Sequence, residues 1–371
     1  MAHSRRPTDD TPPPALYAMV QPGLEPVVAD EIVRDLKGEV KKSSRGVVVF
    51  RLDDVTPDVL KLRTAEDVFL LAWGSDTLTY RPNDLQNFRT WTSSRPDWQR
   101  LFRIHHAVRP KTKGRPTYRL VCQMQGEHGY KRYDARDALA HGLGKKIPPG
   151  WVPADENAWV EFWLTIRGKT AVCGLRLSDR TMRHRTYKTE HVIASLRPTV
   201  AAAMVRLAGP SPGMVVLDPM CGAGTILAET IELSKRRRAG MVTVIGGDID
   251  PNAVFVTTEN LHAVGPAHLA RWDARALPLA TACVDRIVSN PPFGKQLLTP
   301  TQVGPLYQSA AKEWDRVLKP GGRAVFVVAE QEELDAAVKP FGWTASRRLR
   351  VRVLGQPAVV SVWQKPGAAV Q

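Results

Sequence analysis

Long hydrophobic runs are missing from this 371-residue chain. No stretch approaches the roughly 20 apolar residues that a membrane-spanning helix needs. The opening "MAHSRRPTDDTPPP" also lacks the apolar centre of a secretory signal, so the chain reads as soluble and cytoplasmic. Cysteine is scarce: Cys122, Cys173, Cys221 and Cys283 lie far apart, with no C-x-x-C pair and no histidine at zinc spacing. Neither a disulfide framework nor a metal centre is expected. The histidines, including the adjacent His105 and His106, lack ligand spacing and read as ordinary surface or packing residues. Acidic residues are outnumbered, 37 against 52 Lys and Arg, for a formal charge of +15. That excess points to an anionic partner, most economically a nucleic acid. Residues 81–150 carry fifteen Lys/Arg and five Asp/Glu, so an excess of ten is gathered there.

What is present is enough apolar material for several cores, 43% of a length that implies two or three domains. Residues 1–14 are polar and proline-rich and read as a disordered lead-in. From 15 to about 75 the pattern is α+β: "LYAMVQPG", a helix over "LEPVVADEIVRDL", a strand "GVVVFRLDD" and a second helical stretch, "PDVLKLRTAEDVFLLAW". From 76 to 177 a second α+β unit follows. A helical segment broken at Arg95-Pro96 leads to the strand "TYRLVCQMQG", the helix "YDARDALAHGLGKKI" and a hairpin turning at Arg167-Gly168-Lys169. Residues 178–198 are a cationic connector. From 199 to 366 the pattern changes to five short apolar runs, each followed by a Gly or Pro turn or a helical stretch, as in a parallel α/β sheet. Two last runs, "TASRRLRVRV" and "AVVSVWQK", pair as an antiparallel hairpin.

In an open α/β sheet, ligands sit beyond the carboxyl ends of the strands, and four such ends here carry usable groups. In "VLDPMCGAGT", Gly222 and Gly224 allow a sharp turn and a close approach to a ligand, and the helix after Thr225 offers free N–H groups. Asp218 stands before the glycines, where it would repel a pyrophosphate but suits a cation; Met220 and Cys221 complete the loop. In "IGGDID", Asp248 is placed to accept from ribose hydroxyls, while Asp250 precedes Pro251 and reads as a helix cap. Asp273-Ala274 offers a carboxylate to an adenine amino group. Together these three ends describe a site for an adenosine with a positively charged tail and no phosphate, which is S-adenosylmethionine.

The fourth end is Asn290-Pro291-Pro292-Phe293-Gly294. An exocyclic amine conjugated into a base is a poor nucleophile. If Asn290 Oδ1 and the Pro291 carbonyl both accept from it, its nitrogen is drawn toward a tetrahedral state with the lone pair available. The prolines, Pro291 and Pro292, preorganise that acceptor, and Phe293 can stack on an extracted base. Methylation at carbon would instead call for a cysteine nucleophile at this loop, and none is there.

In this order "DPMCGAGT", "GGDID" and "NPPFG" resemble the class I S-adenosylmethionine-dependent methyltransferases that act on exocyclic amino groups of bases. The resemblance implies a Rossmann-like, seven-stranded α/β domain over 199–366 with a reversed last strand. Upstream, "LYAMVQPGLEPVVADEI" and "RLVCQMQGEHGYKRYDARDALAHGLG" are similar to the ferredoxin-like leader and THUMP core of RNA methyltransferases. This implies an RNA-binding region that grips the acceptor end of tRNA. "YKTEHVIASLRPTVAAAMVRLAG" resembles the segment before the catalytic domain in enzymes that make N2-methylguanosine at position 6 of tRNA, and that likeness puts Leu196, Arg197, Pro198 and Thr199 at the methionine end of the cofactor. Candidate phosphate contacts are Arg109, Lys111, Lys113 and Arg115, Lys131 and Arg132, and Lys145 with Lys146. A monomer is the expected state. A 23S rRNA guanine-N2 enzyme, a DNA adenine-N6 enzyme and a non-catalytic RNA-binding module remain alternatives at this level.

Overall fold

The structure is a computed structural model that describes residues 13–111, 113–190, 192, 195–237, 240–293 and 300–368. Most of the expected lead-in, and Gly294 of the Asn-Pro-Pro-Phe-Gly stretch, lie outside the described residues. The chain forms two compact units. One comprises residues up to Met19, Ala29–Leu62 and Asp67–Asp179, and the other Val20–Val28, Arg63–Glu66 and Arg180 onward. Among the described residues no helix is long and apolar enough to cross a membrane.

In chain order the first elements are β1 (Leu16–Met19), α1 (Glu25–Leu36), β2 (Glu39–Ser44), β3 (Val47–Arg51) and β4 (Asp67–Ser75). There follow α2 (Asn83–Ser94), α3 (Trp98–Val108), β5 (Thr117–Gln125), α4 (Arg132–Leu143), β6 (Val152–Pro153) and the hairpin β7 (Val160–Arg167) and β8 (Thr170–Arg176). The eight strands make one sheet in the order β2-β3-β1-β4-β8-β7-β5-β6. The expected helix over 57–73 is not formed: Pro57–Lys61 is a short 3-10 turn and Asp67–Ser75 is strand β4. That strand lies between β1 and β8 in the middle of the sheet, with neighbouring residues buried on both faces. A run that is apolar on both faces has no period to separate helix from strand. The pairing of β4 with β8 also joins the two expected α+β units in a single sheet. Strand β2, unforeseen in "EVKKSS", is an exposed edge whose lysines discourage further pairing. His105 is fully buried and His106 stacks on Trp159 at 4.2 Å, so both are packing residues.

The second unit holds α5 (Thr181–His184), α6 (Pro198–Ala208), β9 (Val215–Asp218), α7 (Thr225–Arg237), β10 (Thr243–Asp248), α8 (Pro251–His262) and β11 (His268–Arg271). It continues with β12 (Val284–Ser289), α9 (Pro300–Val317), β13 (Leu318–Val328), α10 (Gln331–Val338), β14 (Thr344–Val353) and β15 (Gln356–Gln364). The sheet order is β11-β10-β9-β12-β13-β15-β14. All pairs up to β13 are parallel, and β15 runs antiparallel to both β13 and β14. The chain steps from β9 to β10 and β11 on one side, then returns to β12 on the other. The switch point therefore falls between β9 and β12, where such sheets open a crevice. Behind it α9 packs Tyr307 and Trp314, both fully buried, with Trp314 against Phe326 of β13 at 4.6 Å between ring centroids.

Candidate active site

A cavity of about 920 Å³ opens at this switch point. Its floor is built by the turn after β9. Gly222 and Gly224 have φ of +54° and +70°, and a Cβ on Gly224 would lie 2.7 Å from the Thr257 side chain. Both the backbone conformation and the space thus require glycine at 224. Thr257 Oγ1 donates to the Gly222 carbonyl at 2.7 Å, and Gly222 N–H donates to Asp248 Oδ2 at 3.0 Å. The Asp248 carboxylate also accepts from Asp250 N–H at 3.1 Å, so it ties two strand ends together while lining the cavity. Asp250 caps α8 by accepting from Asn252 N–H at 2.9 Å, the role expected for it.

Asp218 is 1% exposed. Its Oδ1 accepts from Ser289 Oγ at 2.7 Å and from Met220 N–H at 3.3 Å. Burial pushes the carboxyl up to about 7, against the pull of those two hydrogen bonds. A buried acid in the wall of a cavity is poised to ionise when a cation arrives. Asp273 forms an ion pair with Arg275. Hydrogen bonds from the Arg275 side chain hold its carboxyl below the usual range, and both oxygens already accept from that guanidinium, the shortest contact being 2.6 Å. Asp273, Ala274 and Arg275 all line the cavity.

At the end of β12, Asn290, Pro291, Pro292 and Phe293 all line the cavity. Asn290 Oδ1 is buried and has no hydrogen-bond partner among the described residues. An unpartnered buried acceptor is costly, and here it belongs to a residue of the cavity wall. The Pro292 carbonyl accepts from Tyr307 Oη at 3.0 Å. Burial raises the Tyr307 hydroxyl well above its ordinary value, so it stays a neutral donor. Phe293 is 8% exposed, and Ile249 and Leu354 add apolar surface elsewhere in the wall.

Ser195 and Leu196 reach the cavity, but Arg197, Pro198 and Thr199 are not in its wall. Pro198 and Thr199 are buried at the start of α6, and the Arg197 guanidinium pairs with Glu66 at 3.1 Å. Arg197 is the N-cap of α6, with an extended backbone. Several supporting residues carried no sequence signal: Ser289, Tyr307, Thr257 and Asn260. The last accepts from Thr189 and Glu190 N–H through Oδ1 and donates to the Glu190 and Ala223 carbonyls through Nδ2. A single side chain thus holds the connector on the glycine turn.

In the first unit the candidate cations divide into two groups. Strand β5 has nine residues, a span of roughly 30 Å at about 3.4 Å each, and α4 returns along it. Lys111, Lys113 and Arg115 precede β5, and Lys145 and Lys146 follow α4, at one end. Lys131 and Arg132 are at the other end, where α4 begins. All but Lys111 are exposed. Arg109 is also engaged within the unit: its Nη1 donates to the Ser178 carbonyl at 3.0 Å, and its own carbonyl accepts from Trp159 Nε1. The four cysteines are unpaired, and among the described residues no group of three or more His, Cys, Asp or Glu could hold a metal ion.

The strand order, the glycine turn after β9 and the Asn-Pro-Pro-Phe end of β12 define the second unit as a class I methyltransferase fold. Residues 185–356 match the family model of the RMKL-like methyltransferase domain. Over 330 residues the chain is 28% identical to tRNA (guanine(6)-N2)-methyltransferase of Thermus thermophilus, covering 88% of this chain and 92% of that one. It is 30% identical to bovine tRNA (guanine(6)-N(2))-methyltransferase THUMP3 over 66% of this chain and 50% of the relative, so it spans half that protein's length. Human U6 snRNA (guanine-N(2))-methyltransferase THUMPD2 is 32% identical over 58% of this chain and 41% of the relative. The crystal structure of TrmN from Thermus thermophilus superposes with a TM-score of 0.75 at 26% identity, covering 95% of this chain and 99% of that one.

Proposed function

We propose that the chain methylates the exocyclic N2 of a guanine in RNA with S-adenosylmethionine, and that the RNA is a tRNA modified in its acceptor stem, at position 6. The observation that carries the chemistry is the buried Asn290 Oδ1, unpartnered among the described residues, on a residue in the wall of a cavity that Asp218 and Asp248 also line. The guanine assignment draws on relatives named for guanine-N2 on two different RNAs. The residues present fit the cofactor: a glycine cradle, a ribose acceptor in Asp248, apolar cover from Ile249 and a buried acid for a cation. When bound, S-adenosylmethionine supplies an electrophilic methyl group. Asn290 Oδ1 and the Pro291 carbonyl then accept the two N–H bonds of the base amine and turn its lone pair toward that methyl. Tyr307 holds the loop through the Pro292 carbonyl, and Phe293 stacks on the base. The amine proton becomes acidic as the nitrogen is alkylated, so no strong base is required.

On this reading residues 15–75 and 76–177 are a ferredoxin-like and a THUMP region that grip the RNA in the cytoplasm, 178–198 is the connector and 199–366 is the catalytic domain. Incubation with tRNA followed by mass spectrometry of nucleosides is expected to yield N2-methylguanosine. Methyl label found only in rRNA or DNA, or as N6-methyladenosine, would refute the assignment.

Two further results follow. Tyr307→Phe removes one hydrogen bond worth about 0.5–1.5 kcal/mol. It is expected to lower kcat by a factor of about 2 to 12 with KM for S-adenosylmethionine unchanged; an unaltered kcat would remove the positioning role. Cofactor affinity should also rise with pH. Below about 7 the Asp218 carboxyl is protonated and must lose its proton to pair with a cation, so binding weakens by up to tenfold per pH unit (about 1.4 kcal/mol) as pH falls. Folding stability has the opposite trend, because a raised carboxyl pKa contributes stability below its ordinary value of 3.8 that is lost as pH rises through about 7. Calorimetric titrations on either side of neutrality measure the first effect, and Asp218→Asn should flatten it.

A further inference from the structure

We infer that β14, the edge strand of the second sheet, is a second RNA-phosphate contact surface, a row of arginines leading to the mouth of the cavity. The inference rests on the RNA-methylation reading and extends it to a surface outside the first unit. Strand β14 reads "TASRRLRVRV", with Arg347, Arg348, Arg350 and Arg352 all exposed. Its register on β15 sets Arg348, Arg350 and Arg352 opposite Ser361, Val359 and Pro357, hence on one face at alternate positions, roughly 7 Å apart. That spacing is comparable to the separation of successive phosphates along a strand. Val351 and Val353 occupy the other face and are buried, which fixes the arginines outward.

The three arginines are not equivalent. Arg348 pairs with Asp335 at 2.8 Å and lies over the Trp363 ring at 5.5 Å. Among the described residues Arg350 and Arg352 have no carboxylate partner; Arg352 Nη2 donates only to the Gly355 carbonyl. Edge strands often carry charge simply to prevent pairing with another chain. Here that task is already met at these positions. Gln21 Nε2 donates to the Arg352 carbonyl at 3.1 Å, and Gly23 approaches the Arg350 carbonyl so closely that a Cβ would lie 1.9 Å from its oxygen. Two unpaired guanidinium groups therefore remain to be explained.

Their direction is informative. β14 runs parallel to β12 and β13, so its carboxyl end lies on the cavity side, and Val353 and Leu354 line that cavity directly after Arg352. The residues that suit the cofactor end β9 and β10, and the base acceptor ends β12. The half of the sheet comprising β13, β15 and β14 is thus the side from which the nucleic acid enters, and the row runs from Arg348 toward that entry.

The test is equilibrium binding of a tRNA transcript to the full chain across a salt series, with Arg350→Gln/Arg352→Gln compared to wild type. The variant is expected to bind roughly tenfold more weakly at physiological salt, and its log–log salt slope to fall by about 1.4 to 1.8 for two lost phosphate contacts. Arg350→Lys/Arg352→Lys should retain most of both, and unchanged S-adenosylmethionine affinity establishes that the variants fold. Unchanged tRNA affinity and slope in the Gln variant would overturn the inference and leave the face to an acidic protein partner. Binding is read without turnover, so a chain that binds tRNA through the row but methylates no RNA would refute the catalytic reading alone.

Discussion

Asn290→Ala is expected to lower the rate of methyl transfer by about 10²–10³-fold while the protein still folds and binds S-adenosylmethionine. That magnitude is typical of removing one preorganised polar group from a site where charge develops. Among the described residues Asn290 Oδ1 is buried without a partner, so loss of that oxygen leaves no donor of the free protein orphaned. The loop keeps its shape through the Tyr307 hydrogen bond to the Pro292 carbonyl. What is lost is one of two acceptors that draw the base amine toward a nucleophilic geometry. Single-turnover kinetics with saturating cofactor isolates this step. Asn290→Asp keeps an acceptor at the same place and should lose less. Full activity in the alanine variant would remove Asn290 from the chemistry.

The largest expected effect on stability is at Glu229, which no motif marked. It lies in α7, one turn beyond the Thr225 that begins the helix at the cavity, and its side chain is fully buried. Its carboxylate accepts four hydrogen bonds: from Arg63 Nε at 2.5 Å and Nη2 at 2.8 Å, Arg185 Nε at 3.1 Å and Tyr187 Oη at 2.8 Å. Burial alone would raise this carboxyl, but the two guanidinium groups and the phenol outweigh it and hold it below the ordinary value. Glu229→Ala would leave two largely buried guanidinium groups without their shared counter-ion. A loss of about 3–5 kcal/mol is expected, read as a shift of the urea midpoint. Because the folded pKa is depressed, the contribution is present above the ordinary carboxylate range and lost as pH falls through the folded value. The difference between wild type and variant should therefore shrink in acid; a difference constant with pH would mean that packing rather than charge dominates.

Much of the catalytic half was legible because its determinants are local. Glycine at 222 and 224, an acid directly after paired glycines, and prolines closing an apolar strand each declare a strand end in consecutive letters. The hairpin of β14 and β15 was legible from two apolar runs around Gly355. Side-chain partners were less legible than strand ends. Nothing in the sequence marked Arg275 as the partner of Asp273 two residues before it, or Glu66, more than a hundred residues away, as the partner of Arg197. The strand at 67–75 failed for a different reason: burial on both faces erases the periodicity that separates strand from helix.

The sequence by itself determined the order of the strand ends and the chemistry each brings: a cation-seeking acid, a glycine cradle, a ribose acceptor and an amide followed by two rigid carbonyl-bearing residues. These depend on residue type and on spacings of a few positions. Only the tertiary structure decided which groups are free to act. It showed that among the described residues Asn290 Oδ1 is unpartnered while Asp273 pairs with Arg275, that Tyr307 supports the proline loop, and that the basic residues of the first unit face two ends rather than one. It also placed the β14 arginines at the cavity side. Availability depends on what packs against a group, and where that neighbour comes from another element, as Tyr307 of α9 does for the Pro292 carbonyl, its distance along the chain carries no local signal.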